Sequence, residues 1–518
     1  MYYRRKKNRS GSTSVYVLEN RQGLQHIVKI IGTATEESRI QKLEAQAIKL
    51  IEELQPQLSF DFEAGRNRQK DKREILFERV LTKINRPKVT VAGPELILGS
   101  IFDYIGFGVI NEPLFRDIVL SRLTYPVSKL KTTEYLMYHK QKEIEVTRIY
   151  RFLDRFYRKV EDVVKKISYG YTQKIVGGIS IVFYDMTTLY FEAEDEDDLR
   201  KIGYNKDGKF RCPQIMLGLL VSENGYPIDY DIFEGNTFES HTLIPVIEKL
   251  QAKYGGEKPT IIADSGLLSK SNIEQLMELG FDFIIGARIK GESGLIKNKI
   301  LSSSRHLPDG GFFELEKGLT RLVVGYSKRR AYRDARNRER GIRRLEKNFK
   351  SGKITKESIN NKGYNKFLTL QSDVSVEIDP VKIAEDMKWD GLKGYITNSK
   401  LPAKQIIQNY THLWHIEKAF RISKTDLRIR PIYHRKRKRI EAHICIAFVA
   451  YTIYKELERR LKEADVEFSP EFAIELTKTI YKIDISSPDT EKTITTFSCI
   501  SGDQELLLKL FHKNYSLN

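Results

Sequence analysis

Two aspartates close short apolar runs: Asp185 ends IVFY, and Asp264 ends TIIA just before Ser265-Gly266. A third acid, Glu417, lies in YTHLWHIEKAFRISK, seven residues after Tyr410 and seven before Lys424. Strand ends fix the position of a carboxylate, and converging carboxylate oxygens suit hard divalent cations such as Mg²⁺. Two such cations serve phosphodiester chemistry, one activating the attacking oxygen and the other stabilising the leaving oxygen. Each feature also has a plainer reading. An acid after a strand is more often a turn residue or a helix cap. Seven steps of about 100° return to nearly the same helix face, so Tyr410, Glu417 and Lys424 equally describe a solvated stripe with an ion pair. Spacing alone favours that stripe. The two aspartates together are more telling, because their strands would be neighbours in one sheet.

Patterning indicates the elements that would hold these residues. GGISIVFYDMTTLYFE is a β-branched, aromatic strand, and FRCPQIMLGLLVSENGYPIDYDIFEG is two strands around the turn Asn224-Gly225. A helix is expected from about Thr237 to Leu250, then a buried strand (PTIIADSG), a helix (SKSNIEQLMELG) and a strand (FDFIIGAR). Three antiparallel strands followed by alternating helices and strands is the order of an α/β, RNase H-like mixed sheet flanked by helices. Residues 175–290 would form its first part. Residues 391–461 would form the second, with KGYITN as a strand and long helices over about Pro402–Leu427 and Arg439–Leu461. Residues 291–390 break the alternation and read as an inserted domain; they hold RLVVGYS and a run, Lys328 to Lys350, of 11 Lys or Arg and three acids. Residues 1–170 read as a mainly helical N-terminal region, with a short alternating stretch (TSVYVLE) and an amphipathic helix over about 36–55. Within it, SKLKTTEYLMYHKQKEIEVTRIYRFLDRFYRKV fits a helix-turn-helix reader of DNA and fits an ordinary helical bundle equally well. Residues 462–518 form a tail with little pattern.

Composition narrows the partner. Lys and Arg number 88 against 69 Asp and Glu, and a formal charge of +19 favours a polyanion without saying which one. No apolar run approaches the roughly 18–20 residues needed to span a bilayer, and none of signal-peptide type follows the basic start, so an intracellular protein is expected. Cys212, Cys445 and Cys499 are far apart and form no CxxC, which argues against a zinc ribbon or a disulfide framework.

The stretch around Glu417 resembles the Y-x2-R-x3-E-x6-K signature of DDE-type transposases of bacterial insertion sequences, through Tyr410, Glu417 and Lys424, with Trp414, Ile416 and Phe420 in familiar places. YDMTTLYFE resembles the first-aspartate strand of that family and IIADSG the second; IFEGNTFESHTL and RIRPIYHRKRKRIEAHICIAFVA are also similar to it. The resemblance covers roughly residues 175–460. It implies that Asp185, Asp264 and Glu417 are catalytic and hold two Mg²⁺ ions, with Mn²⁺ as a substitute. It implies double-stranded DNA as partner, both element ends and target, bound by a homodimer or larger assembly in the bacterial cytoplasm at the nucleoid. In the family the signature Tyr, Arg and Lys contact phosphates near the cleaved end. Here Leu413 stands where the arginine would be. Either Arg421 or a neighbouring basic residue compensates, or the end is gripped more weakly. Leu413→Arg is expected to tighten end binding if the site is open there.

Other features have two readings each. The six acids of EAEDEDD (192–198) suit a solvated loop, with Glu192 the least improbable metal neighbour, and Asp229 and Asp231 alternate on a strand that could face solvent. The run from Arg428 to Arg439 has seven Lys or Arg and no acid, so Arg428, Arg430, Arg435 and Lys436 are expected at phosphates. The Lys328–Lys350 run could instead be a salt-bridged exposed helix, and the basic N-terminus an arm or a DNA contact. Trp414 is expected to be packed. Trp389 could stack on a base flipped from the element end, as an aromatic of the inserted domain does in related transposases, although an ordinary core tryptophan is the commoner case. His434 and His443 read as structural or phosphate-facing. The function expected is a transposase that cleaves element ends with metal-activated water and joins the 3′-hydroxyls to target DNA. The alternatives are a nuclease of the same fold that cuts without joining and an inactive DNA-binding descendant.

Overall fold

The computed structural model describes residues 1–21, 24–54, 88–156, 159–204, 208, 211–351, 358–360, 363–370, 376–486, 493–498 and 501–511. Cys499 lies outside them. The chain divides into two compact units, Met1–Lys88 with Asp484–Thr495, and Val89–Ile483 with Thr496–Asn518.

Within the mainly helical N-terminal region, the first unit adds a three-stranded sheet ahead of the helix expected at about 36–55. Strands β1 (Tyr2–Lys7), β2 (Thr13–Arg21) and β3 (Leu24–Ala34) form an antiparallel sheet, followed by the helix Glu37–Leu54. Ile40 and Ala47 of that helix join Val15 and Val17 of β2 in a small core. Only TSVYVLE alternates visibly, because β1 consists of Tyr, Arg and Lys alone and is exposed along its whole length.

The second unit is built on an eight-stranded sheet. After the short β4 (Lys88–Val91), its strands are β5 (Ile181–Tyr190), β6 (Gln214–Ser222), β7 (Pro227–Glu234), β8 (Thr260–Ala263), β9 (Phe283–Ala287), β10 (Phe312–Lys317), β11 (Thr320–Tyr326) and β14 (Leu392–Thr397), while β12 (Leu368–Leu370) and β13 (Val376–Ile378) pair separately. The order is β10-β11-β14-β9-β8-β5-β6-β7. β5, β6 and β7 run antiparallel, and β8 and β9 are parallel to β5. That is the RNase H-like arrangement the element order implies. Asn224-Gly225 turns between β6 and β7, and Gly225 has a φ of 78°, where a side chain would be strained.

Alternation along β5 sends Val182, Tyr184 and Met186 to one face and Phe183 and Leu189 to the other. The first face is covered by the helices Leu243–Tyr254 and Lys270–Glu278. The second carries the largest core, through which the 27-residue helix Arg437–Glu463 runs almost wholly buried. Helices Pro113–Thr124, Val146–Arg155 and Lys159–Val176 pack against it. Residues 95–176 form a series of helices, in which Lys129–Lys140 and Val146–Arg155 are joined by a short turn.

Two expected boundaries dissolve. Residues 291–390 are not a separate body, because β10 and β11 pair onward from β14 and extend the main sheet. The helix Lys328–Lys350 and the β12–β13 hairpin carry only a small cluster of their own around Leu345, Phe367 and Val376. Nor is the tail patternless: Leu507, Leu508 and Phe511 of the helix Gly502–Phe511 enter the largest core. Among the described residues no helix is long and apolar enough to cross a membrane.

Candidate functional site

Parallel pairing of β5 with β8 sets Tyr184 opposite Ala263. The next residues are Asp185 and Asp264, so the two carboxylates stand at neighbouring strand positions, about 5 Å apart in backbone terms. Asp185 shares the face of Phe183 and pairs with Leu219 of β6. The helix Trp414–Thr425 packs on that same face, against β5 and β6, through Ile416, Ala419 and Phe420. Glu417 is exposed on that helix.

The expected single helix over Pro402–Leu427 is two helices, Ala403–Thr411 and Trp414–Thr425. At the junction the amides of His412, Leu413, His415 and Ile416 each bond the carbonyl three residues back rather than four. Such tight turns rotate the chain by about 120° per residue instead of 100°. Tyr410 and Glu417 therefore stand on two helices, Tyr410 buried and Glu417 exposed, while Glu417 and Lys424 share one helix. Tyr410 is buried, and its hydroxyl donates to Oδ1 of Asp264 at 2.9 Å. Burial and the Asp264 charge raise the Tyr410 phenol far above its usual range, with Asp185 adding to the effect. Oδ2 of Asp264 makes no hydrogen bond among the described residues.

Sequence reasoning missed two members of the site. A Cβ on Gly286 of β9 would lie 2.5 Å from the Tyr410 hydroxyl, so only glycine lets the phenol reach Asp264. An isolated glycine in a strand is a known mark of close approach, and FIIGA carried that signal. Lys393 of β14 has its ammonium 4.2 Å from the Tyr410 ring centre. Burial, and then the Arg330 charge, lower its pKa, while Asp264 and Glu417 oppose the shift. Tyr410 thus senses Asp264 and Asp185, and Lys393 senses Asp264 and Glu417, which places all three acids in one electrostatic neighbourhood. Among the described residues no three acidic, imidazole or thiol side chains gather closely enough to hold one metal ion. The donors are all carboxylate oxygens, and Asp185 in mid-β5 beside Asp264 at the end of β8, with Oδ2 of Asp264 available, fits a hard cation.

A cleft of about 510 Å³ opens beside Asp264 and Tyr410. The opening turns of the helix Lys328–Lys350 line it through Arg330 and Arg338. Arg338 is held by both carboxylate oxygens of Asp390. The buried Nε of Arg330, by contrast, has no hydrogen-bond partner, only the Asp334 carboxylate at 3.6 Å. This run is therefore split: its start lines the cleft, and further along Arg343 pairs with Glu339 at 2.5 Å in the open. Trp389 is half-buried in the cleft wall, packed on the cluster of β11 and β14. Arg421, Arg428, Arg435 and Lys436 are exposed; Lys424 and Arg430 are half-buried, with Arg430 over the Tyr190 ring at 5.7 Å. Ile432 donates its amide to the Tyr190 carbonyl, tying the basic segment to the end of β5.

Several expectations change. Trp414 is 49% exposed and stacked on His415, not packed. Leu413 is 7% exposed in the largest core, so no open site awaits an arginine there. Asp229 pairs with Lys165 at 3.1 Å and Asp231 with Lys249 at 2.9 Å, which occupies both in structural roles. In the acidic loop Asp197 accepts the Leu199 and Arg200 amides, while Glu192, Glu194 and Asp195 are exposed.

Tyr410→Phe keeps the ring and removes the hydroxyl that orients Asp264. Loss of an outer partner of this kind costs about 10–100-fold in metal affinity or activity, against about 1 kcal/mol of stability. Titration of divalent ion into a DNA-nicking assay reads the first, and urea unfolding the second; an unchanged metal requirement would remove Tyr410 from the site.

A family model described as "Transposase DDE domain" matches residues 177–453, just over half of the chain. No curated protein matches by sequence. Among solved structures, a piggyBac transposase synaptic complex with hairpin DNA aligns at 10% identity and TM-score 0.38, covering 76% of this chain and 82% of that one. A Mos1 transposase paired-end complex with left transposon end aligns at 13% identity and TM-score 0.16, covering 30% and 53%.

Proposed function

Because the chain belongs to the transposase DDE-domain family, we propose that it binds the ends of an insertion sequence, cuts them and joins the freed 3′-hydroxyls to target DNA. The observation that supports this assignment of residues is the register of β5 on β8, which sets Asp185, in the middle of β5, beside Asp264 just past the end of β8, on the sheet face where the helix bearing Glu417 packs. The family generally uses divalent metal ions. Asp185, Asp264 and Glu417 would hold two Mg²⁺ ions, which when bound polarise the attacking hydroxyl and stabilise the leaving oxygen.

The protein's own residues do the rest. Tyr410 fixes the rotamer of Asp264 through its hydroxyl. Lys393 and Arg330 offer positive charge at the cleft mouth beside Asp264. Water attacks the phosphodiester at the element end, the P–O3′ bond breaks, and a 3′-hydroxyl is left. That hydroxyl then attacks a target phosphodiester, forming one P–O bond as another breaks. No covalent link between protein and DNA is needed, so no Ser or Tyr nucleophile is assigned.

Arg148, Arg151 and Arg155 share the exposed face of the helix Val146–Arg155, opposite Ile149 and Phe152, which supports its reading as a DNA-contacting helix. Arg421, Lys424, Arg428, Arg430, Arg435 and Lys436 extend a basic surface beyond the Glu417 helix. Trp389, in the cleft wall, is the aromatic within reach of a base turned out of the end. Double-stranded ends held together imply a homodimer or larger assembly on DNA.

The deciding experiment incubates the protein and Mg²⁺ with duplexes carrying the inverted repeats that flank its gene. Strand-transfer products support a transposase, whereas nicks without joining leave a nuclease. Lys424→Ala is expected to flatten the log–log salt dependence of end binding by about 0.9, one phosphate contact. Equal slopes for variant and wild type would remove Lys424 from the DNA surface.

A further inference from the structure

A second cavity, of about 520 Å³, lies between the start of the helix Lys129–Lys140 and the segment that follows the Glu417 helix. None of its lining residues lines the cleft beside Asp264. Its deep wall is cationic. Arg122 is 6% exposed and Lys129 5%, and among the described residues neither forms an ion pair with an acid. The Arg122 guanidinium makes one long contact, 3.4 Å, to the Leu427 carbonyl. Burial pulls its pKa down to about 10. Lys129 is lowered further, by burial and then by the Arg122 charge. Asp154, the carboxylate that His434 of the cavity wall senses, has both oxygens taken by Arg439 at 2.7 Å.

His443 supplies an independent sign. It is 6% exposed, and its Nε2 lies 2.9 Å from the Ile429 carbonyl. A carbonyl only accepts, so Nε2 carries the proton. Among the described residues the buried Nδ1 has no hydrogen-bond partner. Buried cations without counter-charge and a buried unmet nitrogen are each costly. The two uncompensated cations around one cavity describe a site whose missing part is an anion; the Nδ1 lone pair is an acceptor and adds an unmet polar atom on the same wall. Arg428 and Arg430 line the rim, and the first turn of the 12-residue helix Lys129–Lys140 contributes its positive end.

We propose that this cavity receives a DNA backbone phosphate, held by Arg122 and Lys129, and so forms a buried grip on DNA separate from the carboxylate cleft. The DNA source rests on the transposase reading; the anion site does not. A phosphate gripped by two dehydrated cations is held in one place, unlike one resting against the exposed Arg435 or Lys436. Such a contact fixes register on the duplex rather than sequence.

The test uses the full chain and Lys129→Met, which keeps the length and removes the charge, with Lys129→Arg as the charge-retaining control. Thermal unfolding is followed in inorganic phosphate and in chloride at equal ionic strength, and duplex-DNA affinity is titrated against salt. Phosphate is expected to raise the wild-type midpoint. Lys129→Met is expected to start higher in chloride, to lose the phosphate-dependent rise, and to lower the DNA salt slope by about 0.9; Lys129→Arg should restore both. A phosphate response that survives in Lys129→Met overturns the site. Loss of the response with an unchanged DNA slope overturns DNA as the source and leaves a free-anion site. If wild type binds no DNA, the transposase reading fails, and the phosphate arm still decides the cavity.

Discussion

Asp185→Asn and Asp264→Asn are each expected to abolish nicking and joining while leaving end binding within a few fold of wild type. Both substitutions keep the side-chain volume. In Asp264→Asn the new amide oxygen still accepts from Tyr410, so the fold is undisturbed, but a neutral amide cannot neutralise a divalent cation. Loss of a charged ligand from a two-metal site removes several kcal/mol of transition-state stabilisation, roughly a thousandfold or more in rate. Glu417→Gln should fall with them. It decides more, because Glu417 is the member that the site brings into the neighbourhood without closing the cluster. Full activity in Glu417→Gln would mean that another acid completes the set. Equal loss of DNA binding in all three variants would mean that they support the fold instead.

Leu413→Arg is expected to destabilise the second unit by about 3 kcal/mol and not to tighten DNA binding. Burying a leucine is worth about 1.5–3 kcal/mol, and a guanidinium forced among apolar side chains adds a penalty of its own. Urea unfolding reads the loss, and end-DNA titration the binding. Unchanged stability with tighter binding would show that the arginine escapes to the surface and takes the phosphate-contact role of the family residue. The structure accounts for the leucine: the 3₁₀-like step at His412–Leu413 turns this position into the core.

That step also marks where sequence patterning stops being informative. THLWH contains no Gly or Pro, so nothing in it announces a break between helices. The two aspartates were legible because IVFY and TIIA are short apolar runs each followed by a single acid, although β5 continues past Asp185 to Tyr190, and the Asn224-Gly225 turn by its chemistry. Glu417 became convincing only through resemblance, since helical spacing alone describes a surface as well as a site. Lys393 was not legible at all. Its place depends on β14 lying beside β9, a pairing between segments more than a hundred residues apart. The same cause hid where RLVVGYS, readable as a strand, would pair, because the partner of β11 comes after a long helix. Trp414 misled because tryptophan is usually packed, whereas here its helix turns it outward over His415.

The order of the carboxylates along the chain also acts as a timer. Glu417 follows Asp264 by 417 − 264 = 153 residues. At about 5–20 residues per second, a ribosome takes roughly 8–30 s to cover that distance. Throughout it, the emerging chain holds both aspartates and the strands that pair them, but neither the phenol that orients Asp264 nor the third acid. The helix Arg437–Glu463, which threads the largest core, arrives later still. A chain that stops before Tyr410 is therefore expected to cut no DNA.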